Sequence, residues 1–125
     1  MESNLTTPAI VIFTSADCAD VWNDVLLGIE EEGIPFVIQE NDSTDVIHNA
    51  WLAACQSPLL VGIGCSREKL VVHYKNLPSS APLFTLTYQQ NSHDRRSIGN
   101  NAARLVKGIP FRECHSYPTG EKQYE

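Results

Sequence analysis

The sequence predicts an α/β fold, a three-layer α/β/α sandwich around a mixed, mostly parallel sheet of about five strands. Short apolar runs rich in β-branched residues alternate with segments whose apolar residues recur every three or four positions. Such alternation is typical of a sheet covered by helices on both faces. One pair of apolar runs is joined only by SREK, residues 66–69, which is too short for a parallel return. One strand is therefore expected to run antiparallel.

The predicted strands are short and apolar almost throughout, as expected for strands buried on both faces of a sheet. They are PAIVIF (8–13), PFVIQ (35–39), LLVGIGC (59–65), LVVHY (70–74) and LFTLTY (83–88). The two glycines of GIG, at 62–64, lie inside a strand, where glycine usually permits close packing. The order of elements is β-α-β-α-β-β-β-α.

The first predicted helix is VWNDVLLGIEEEG, residues 21–33. Its apolar stripe comprises Val21, Trp22, Val25, Leu26 and Ile29. Ser15 or Asp17 is expected to cap its start. Gly33 is a suitable residue just beyond its end, and Pro35 a suitable stop.

Two further helices are predicted at residues 45–55 and 97–108. The buried side of the last one is expected at Ile98, Ala102, Leu105 and Val106. We predict a single domain over residues 1–125, with flexible tails at 1–7 and about 113–125. No apolar run is long enough to cross a membrane, and the N-terminal residues lack a secretion signal, so a cytoplasmic location is expected.

Charge is segregated along the chain. Residues 1–66 hold ten acidic residues and no lysine or arginine, giving −10, whereas residues 67–125 hold nine basic and five acidic residues, giving +4. Either the two halves neutralise each other in the fold, or the acidic half offers a face to a cation or a basic partner. Nucleic acid is not an expected partner, because the basic residues are scattered and the net charge is −6.

The residues expected of an enzyme are missing from the sequence patterns. There is no glycine-rich dinucleotide or nucleotide-phosphate loop, and the four cysteines and four histidines have no zinc-like spacing. We therefore predict no catalytic residue, no residue that binds a cofactor and no tightly bound organic cofactor. The cysteines are expected to be reduced thiols. A different class of function, an enzyme that uses the thiol of Cys18 near a helix start, is kept as a further interpretation.

Three consecutive glutamates, Glu30, Glu31 and Glu32, end the first helix, where the helix dipole disfavours carboxylates. On a helical wheel, Glu31 lies about 200° from Ile29 and points away from the core. Asp24, Leu27, Gly28 and Glu31 follow i, i+3, i+4, i+7 spacing and form a second stripe on that outer side. This stripe is either a solvated surface or a partner-binding surface in which Glu31 meets a cation.

Three long segments resemble a known family: LLGIEEEGIPF, SPLLVGIGCSREKLVVHYKNLPSSAPLFTL and GNNAARLVKGIPF. They are similar to the small (beta) subunit of diol or glycerol dehydratase-reactivating factors, proteins associated with B12-dependent dehydratases. The resemblance covers about residues 8–112. The stretch QENDSTDVIHN and the residues after 112 contribute little to it.

The resemblance implies a molecular chaperone. In this family, a large Hsp70-like or actin-like ATPase subunit and the small subunit release damaged cobalamin from adenosylcobalamin-dependent diol dehydratase. The small subunit resembles the dehydratase medium subunit in fold and exchanges with it. The resemblance also places on Glu31 the role of a ligand to Mg²⁺ shared at the interface with the large subunit. That docking mode requires Glu31 to point outward without an arginine partner from its own chain.

The alternative with the same fold is a structural medium-type subunit of a B12-dependent dehydratase. Binding of cobalamin to the isolated chain would distinguish the two. The sequence leaves several properties undecided. They are the client (diol or glycerol dehydratase), the role of the cysteines, self-association of the isolated chain into a homo-oligomer, and association with a bacterial microcompartment.

Overall fold

A computed structural model describes residues 8–15, 18–41, 45–87 and 89–112, and these form one five-stranded sheet flanked by helices. The strands are β1 (Ile10–Thr14), β2 (Phe36–Glu40), β3 (Val61–Cys65), β4 (Lys69–Tyr74) and β5 (Phe84–Thr87). The helices are α1 (Asn23–Glu31), α2 (Val46–Gln56) and α3 (Ser92–Lys107), and a 3₁₀ helix at Ala19–Trp22 leads into α1. The predicted order of elements is confirmed.

The sheet order is β2-β1-β3-β4-β5. The pairs β1–β2 and β1–β3 are parallel, whereas β3–β4 and β4–β5 are antiparallel. Only β4 therefore runs against the other four strands, because three residues between β3 and β4 allow only a tight reversal. The predicted mixed, mostly parallel sheet is confirmed.

The two faces of β1 contribute to different apolar clusters, as alternation along a strand requires. Ile10 and Ile12 pack in the main core with residues of α1 and α3, while Val11 and Phe13 pack with Ala53 of α2. The sheet is thus the middle of three layers. The predicted α/β/α sandwich is confirmed.

Glycines bring β3 and α2 together. A Cβ atom on Gly62 would lie 2.1 Å from the backbone nitrogen of Ala54, and one on Gly64 would lie 2.5 Å from the carbonyl oxygen of Val46. Both positions are fully buried. The close-packing interpretation of GIG is therefore correct, and neither glycine is available for a ligand.

The starts of two helices differ from prediction. Helix α3 begins five residues early because Asn91 caps it, its side-chain oxygen accepting from the Asp94 backbone N–H at 2.8 Å. Ser15 does not cap the first helix: Cys18 precedes the 3₁₀ turn and Trp22 precedes α1, and neither makes a side-chain cap.

Some predictions fall outside the described residues, namely the cap at Asp17 and the tails at 1–7 and 113–125. The single-domain assignment for 1–125 stays a prediction. None of the helices in the described part of the chain is long and apolar enough to cross a membrane.

Candidate functional site

The predicted outer stripe of α1 faces α3 of the same chain, which corrects the helical-wheel argument. Gly28 is buried, and a Cβ atom there would lie 2.2 Å from the carbonyl oxygen of Arg96. On α3, a Cβ atom on Gly99 would lie 2.0 Å from the carbonyl oxygen of Val25. Gly28 therefore permits a close approach, as expected, but the approaching surface is α3. Gly28 is covered by its own chain, and its predicted role in partner binding stays a prediction.

The wheel failed because α1 packs on two sides, against the sheet and against α3. A wheel centred on Ile29 accounts only for the side facing the sheet. Leu27, placed on the outer stripe, is half-buried. Asp24 is also partly covered, because its Oδ2 lies 3.1 Å from Nη2 of Arg95 on α3.

The acidic end of α1 is compensated by basic residues of α3. Glu32 is mostly buried, with 11% of its side chain exposed, and its carboxylate contacts Arg104 Nε at 3.0 Å and Lys107 Nζ at 2.9 Å. Lys107 also donates to the Glu32 carbonyl oxygen at 3.0 Å. The hydrogen bond from Lys107, with a smaller contribution from Arg104, lowers the pKa of Glu32 despite its burial. These contacts support the self-neutralising interpretation of the segregated charge.

Glu31 remains at the surface but is not free. Its Oε2 lies 3.1 Å from Nε of Arg96, and both side chains are 45% exposed. Its Oε1 accepts from Nδ2 of Asn100 at 3.1 Å. The docking mode expected from the sequence required Glu31 to lack an arginine of its own chain, and that condition is not met. Glu30, by contrast, is simply exposed.

Asn100 is the residue that joins the site together. Its side chain is buried, and besides Glu31 its Nδ2 donates to the Gly28 carbonyl oxygen at 2.7 Å. Its Oδ1 accepts from Nη1 of Arg112 at 2.5 Å. Sequence reasoning missed Arg96 and Asn100. The signal was the recurrence of polar residues at 96, 100, 104 and 107, a spacing that places them on one face of α3.

The described residues contain no group of three or more histidines, cysteines or acids that could hold a metal ion. The fit to Mg²⁺ therefore rests on Glu31 alone. A half-exposed carboxylate supplies the oxygen that Mg²⁺ prefers, and the guanidinium beside it shows that this position already accommodates positive charge. This chain could supply one ligand to an ion held mainly by another polypeptide.

Cys18 is fully buried, which does not suit a nucleophile that must meet a substrate. Its Sγ lies 3.5 Å from Sγ of Cys65 and 3.4 Å from the Cys65 carbonyl oxygen. Burial, and secondarily the neighbouring Cys18, raises the pKa of the Cys65 thiol. A pair of buried thiols in the core fits a packing role.

Comparison with known proteins identifies the family. The dehydratase medium subunit family matches residues 7–112. Propanediol dehydratase-reactivating factor small subunits of Citrobacter freundii and Salmonella typhimurium are 90% and 63% identical, each over 93% of this chain and 100% of its own length. A diol dehydratase-reactivating factor small subunit of Klebsiella michiganensis is 59% identical over 100% of both chains.

Solved structures agree. The structure of diol dehydratase-reactivating factor complexed with ADP and Mg²⁺ has a TM-score of 0.84 and 61% identity, covering 86% of this chain and 100% of the other. A glycerol dehydratase reactivase has a TM-score of 0.80 and 33% identity, covering 86% and 98%. The chain therefore belongs to the dehydratase medium subunit family and, within it, to the small subunits of propanediol (diol) dehydratase-reactivating factors.

Proposed function

We propose that this chain is the non-catalytic small subunit of a chaperone that reactivates adenosylcobalamin-dependent diol dehydratase. It binds a large ATPase subunit and exchanges with the dehydratase medium subunit, so that damaged cobalamin is released. The observation that carries the proposal is 90% identity to a propanediol dehydratase-reactivating factor small subunit over that protein's whole length. Subunit exchange is supported by the family itself, because a dehydratase medium subunit family matches this chain.

Diol dehydratase is the client that the similarities favour. The three relatives named for propanediol or diol dehydratase are 59–90% identical to this chain. A probable glycerol dehydratase-reactivating factor small subunit of Citrobacter freundii is only 28% identical over 88% of this chain. We expect the surface that recognises the client to resemble that of the more similar relatives, which are named for propanediol or diol dehydratase.

The metal role proposed for this chain is a single ligand, Glu31, given to a Mg²⁺ ion at the contact with the large subunit. The solved relative in complex with ADP and Mg²⁺ supports magnesium as the ion. Mg²⁺ is usually bound through one or two carboxylates together with phosphates and waters, so one protein carboxylate from this chain is a suitable contribution. When the ion is bound, it supplies a positive charge that joins the two subunits through Glu31.

The pair with Arg96 does not meet the condition set from the sequence, so we propose the role in a changed form. Exposed ion pairs are weak, about 0–1 kcal/mol, and the arginine can give way to the metal. Docking would replace the guanidinium by the metal at small cost. The docking surface is then Glu31, at the exposed end of α1, together with Arg96. Asp24 and Leu27 lie beside this surface, partly covered by their own chain.

The proposal is tested first by function and then by the Glu31→Gln variant. The large subunit with this chain should reactivate inactivated diol dehydratase in the presence of ATP and Mg²⁺, and the large subunit alone should not. Glu31→Gln should weaken association with the large subunit in Mg²⁺ by about tenfold or more, equivalent to roughly 1.4 kcal/mol. Calorimetric titration measures the affinity, and thermal unfolding checks that the variant remains folded.

The control is Glu30→Gln, which removes an equally acidic neighbour that is exposed on the same helix end. It should leave the affinity for the large subunit unchanged. If Glu31→Gln binds as tightly as the natural chain in Mg²⁺, the metal role is wrong. Lack of reactivation by the complete pair would reject the chaperone role.

Two further parts of the proposal concern location and self-association. A cytoplasmic location stays a proposal, and association with a bacterial microcompartment stays undecided, as it was from the sequence. Self-association of the isolated chain is supported by β2, one of the two edge strands of the described sheet, which exposes Val37 and Ile38. Exposed apolar edge strands tend to pair with another chain.

A further inference from the structure

We propose that Arg96 is a built-in counter-ion for Glu31, released when the partner's Mg²⁺ binds, and that Asn100 is a positioning residue that keeps the carboxylate in place during this exchange. The inference rests on the proposed docking of Glu31 to a metal. It assigns to two residues of α3 opposite effects on that docking. Arg96 competes with the metal, and Asn100 prepares the ligand.

The two oxygens of Glu31 have different partners. Oε2 faces Nε of Arg96 at 3.1 Å, and Oε1 faces Nδ2 of Asn100 at 3.1 Å. Arg96 is 45% exposed, whereas Asn100 is 1% exposed. An exposed, flexible side chain can leave and be solvated, while a buried amide cannot leave without losing its hydrogen bonds. Exchange is therefore expected on the Oε2 side only.

The orientation of the Asn100 amide is set by its surroundings. Its Nδ2 has two acceptors, the Glu31 carboxylate and the Gly28 carbonyl oxygen, and its Oδ1 receives a hydrogen bond from Arg112. A flipped amide would turn an acceptor towards acceptors and donors towards a guanidinium. Asn100 consequently holds Oε1 from the protein interior and leaves the exposed side of the carboxylate available for exchange.

The other cations of α3 are less able to leave. Arg95 pairs with Asp24, and its Nη1 also donates to the Gln90 carbonyl oxygen at 2.5 Å. Arg104 likewise donates to a carbonyl oxygen, that of Pro110, at 3.2 Å. Among the residues that the structure describes, the Arg96 side chain bonds only to Glu31. Arg96 therefore breaks fewer contacts than Arg95 or Arg104 when its side chain moves.

The test is a set of affinities for the large subunit at several Mg²⁺ concentrations. Arg96→Gln should bind the large subunit about two- to fivefold more tightly and reach half-maximal association at lower Mg²⁺, because one weak surface ion pair no longer competes. In the Glu31→Gln background, Arg96→Gln should have no effect on affinity. Arg95→Gln is the matched control, since it breaks the neighbouring pair with Asp24 and should not alter the Mg²⁺ dependence.

Asn100 is tested with Asn100→Ala, checked for folding by thermal unfolding. It should weaken association in Mg²⁺ but not with the metal removed by EDTA, and it should add no loss to Glu31→Gln in a double-mutant cycle. A purely structural Asn100 would weaken binding in both conditions. If Asn100→Ala does not fold, Arg96→Gln alone still decides the central part of the inference.

The outcomes separate the inference from the proposed function. If Glu31→Gln weakens binding while Arg96→Gln weakens it or leaves it unchanged, the counter-ion inference is overturned and the metal role stands. If Glu31→Gln has no effect, the metal role fails and the inference fails with it. Tighter binding of Arg96→Gln that depends on Glu31 supports both.

Discussion

Three adjacent glutamates have three different environments. Successive residues on a helix point about 100° apart. Glu30 is exposed, Glu31 is half-exposed with one arginine, and Glu32 is mostly buried between two cations. The adverse helix dipole at this end is therefore offset mainly by α3. An external cation can reach the carboxylates of Glu30 and Glu31, but of these two only Glu31 is also held in place by side chains of α3.

The pKa of Glu32 predicts a pH dependence of stability. Because the fold lowers this pKa below 4.5, the carboxylate contributes stability above that pH and loses it as the pH falls through the folded pKa. Glu32→Gln should reduce the free energy of unfolding at pH 7 by about 1–2 kcal/mol, as the two cations lose a charged partner.

Urea unfolding measures the effect. The difference between Glu32→Gln and the natural chain should shrink as the pH falls from 4.5 through the folded pKa of Glu32, because the natural side chain then also becomes neutral. Glu30→Gln, which removes an exposed charge, should change stability by about 0.5 kcal/mol at most. A difference that is equally large at pH 3 and pH 7 would contradict the assignment of this stability to charge.

At the scale of elements, the sequence predicts those strands and helices whose burial depends on their own apolar residues. The strands and α2 are where the sequence places them, because continuous apolar runs and an apolar stripe each indicate a buried face. Helix α3 is different: Ser97, Gly99, Asn100 and Asn101 are buried in it although none is apolar. Gly99 is buried by its contact with α1, and the side chains of Asn100 and Asn101 donate hydrogen bonds to the carbonyl oxygens of Gly28 and Arg112. The spacing of apolar residues could not reveal that face, so the role of α3 in the site was missed.

The close contact between α1 and α3 predicts that a methyl group added at Gly28 destabilises the fold. A Cβ atom at Gly28 would lie 2.2 Å from the Arg96 carbonyl oxygen and 2.9 Å from the Asn100 backbone nitrogen, both of which are backbone atoms. Gly28→Ala should force the helices apart and destabilise the fold by about 2–3 kcal/mol. Gly33→Ala is the control, with a positive φ of 77° but nothing within 4 Å, and should cost about 1 kcal/mol. Chemical denaturation measures the free energy of unfolding of both variants. If Gly28→Ala loses no more stability than Gly33→Ala, the close contact is refuted.

At the scale of the molecule, the segregated charge pairs one half of the chain with the other. The described ion pairs link acids at positions 24–32 with bases at positions 95–107. Sequence analysis offered self-neutralisation and a face for a cation as alternatives. The structure supports the first for Asp24 and Glu32, and the proposed function adds the second at Glu31. The sequence could not separate them, because which acids meet which bases is set by the packing of α1 on α3.

The alternative from the sequence, a medium-type subunit of the dehydratase itself, is not favoured, because the relatives of 59–90% identity are named reactivating factor small subunits. Cobalamin binding tests it directly. A described internal cavity, lined in part by Ile12, Trp22 and Ile63, has a volume of about 10 Å³, whereas a cleft lined in part by Asp45 and Lys69 has about 490 Å³. The first has room for at most one water molecule, so a bound cobalamin would have to use the second. The proposed function predicts that the isolated chain retains no cobalamin in equilibrium dialysis followed by absorbance, while the dehydratase, as positive control, retains it. Saturable binding at micromolar cobalamin would favour the medium-type subunit, because a reactivating small subunit acts on the dehydratase without holding its cofactor.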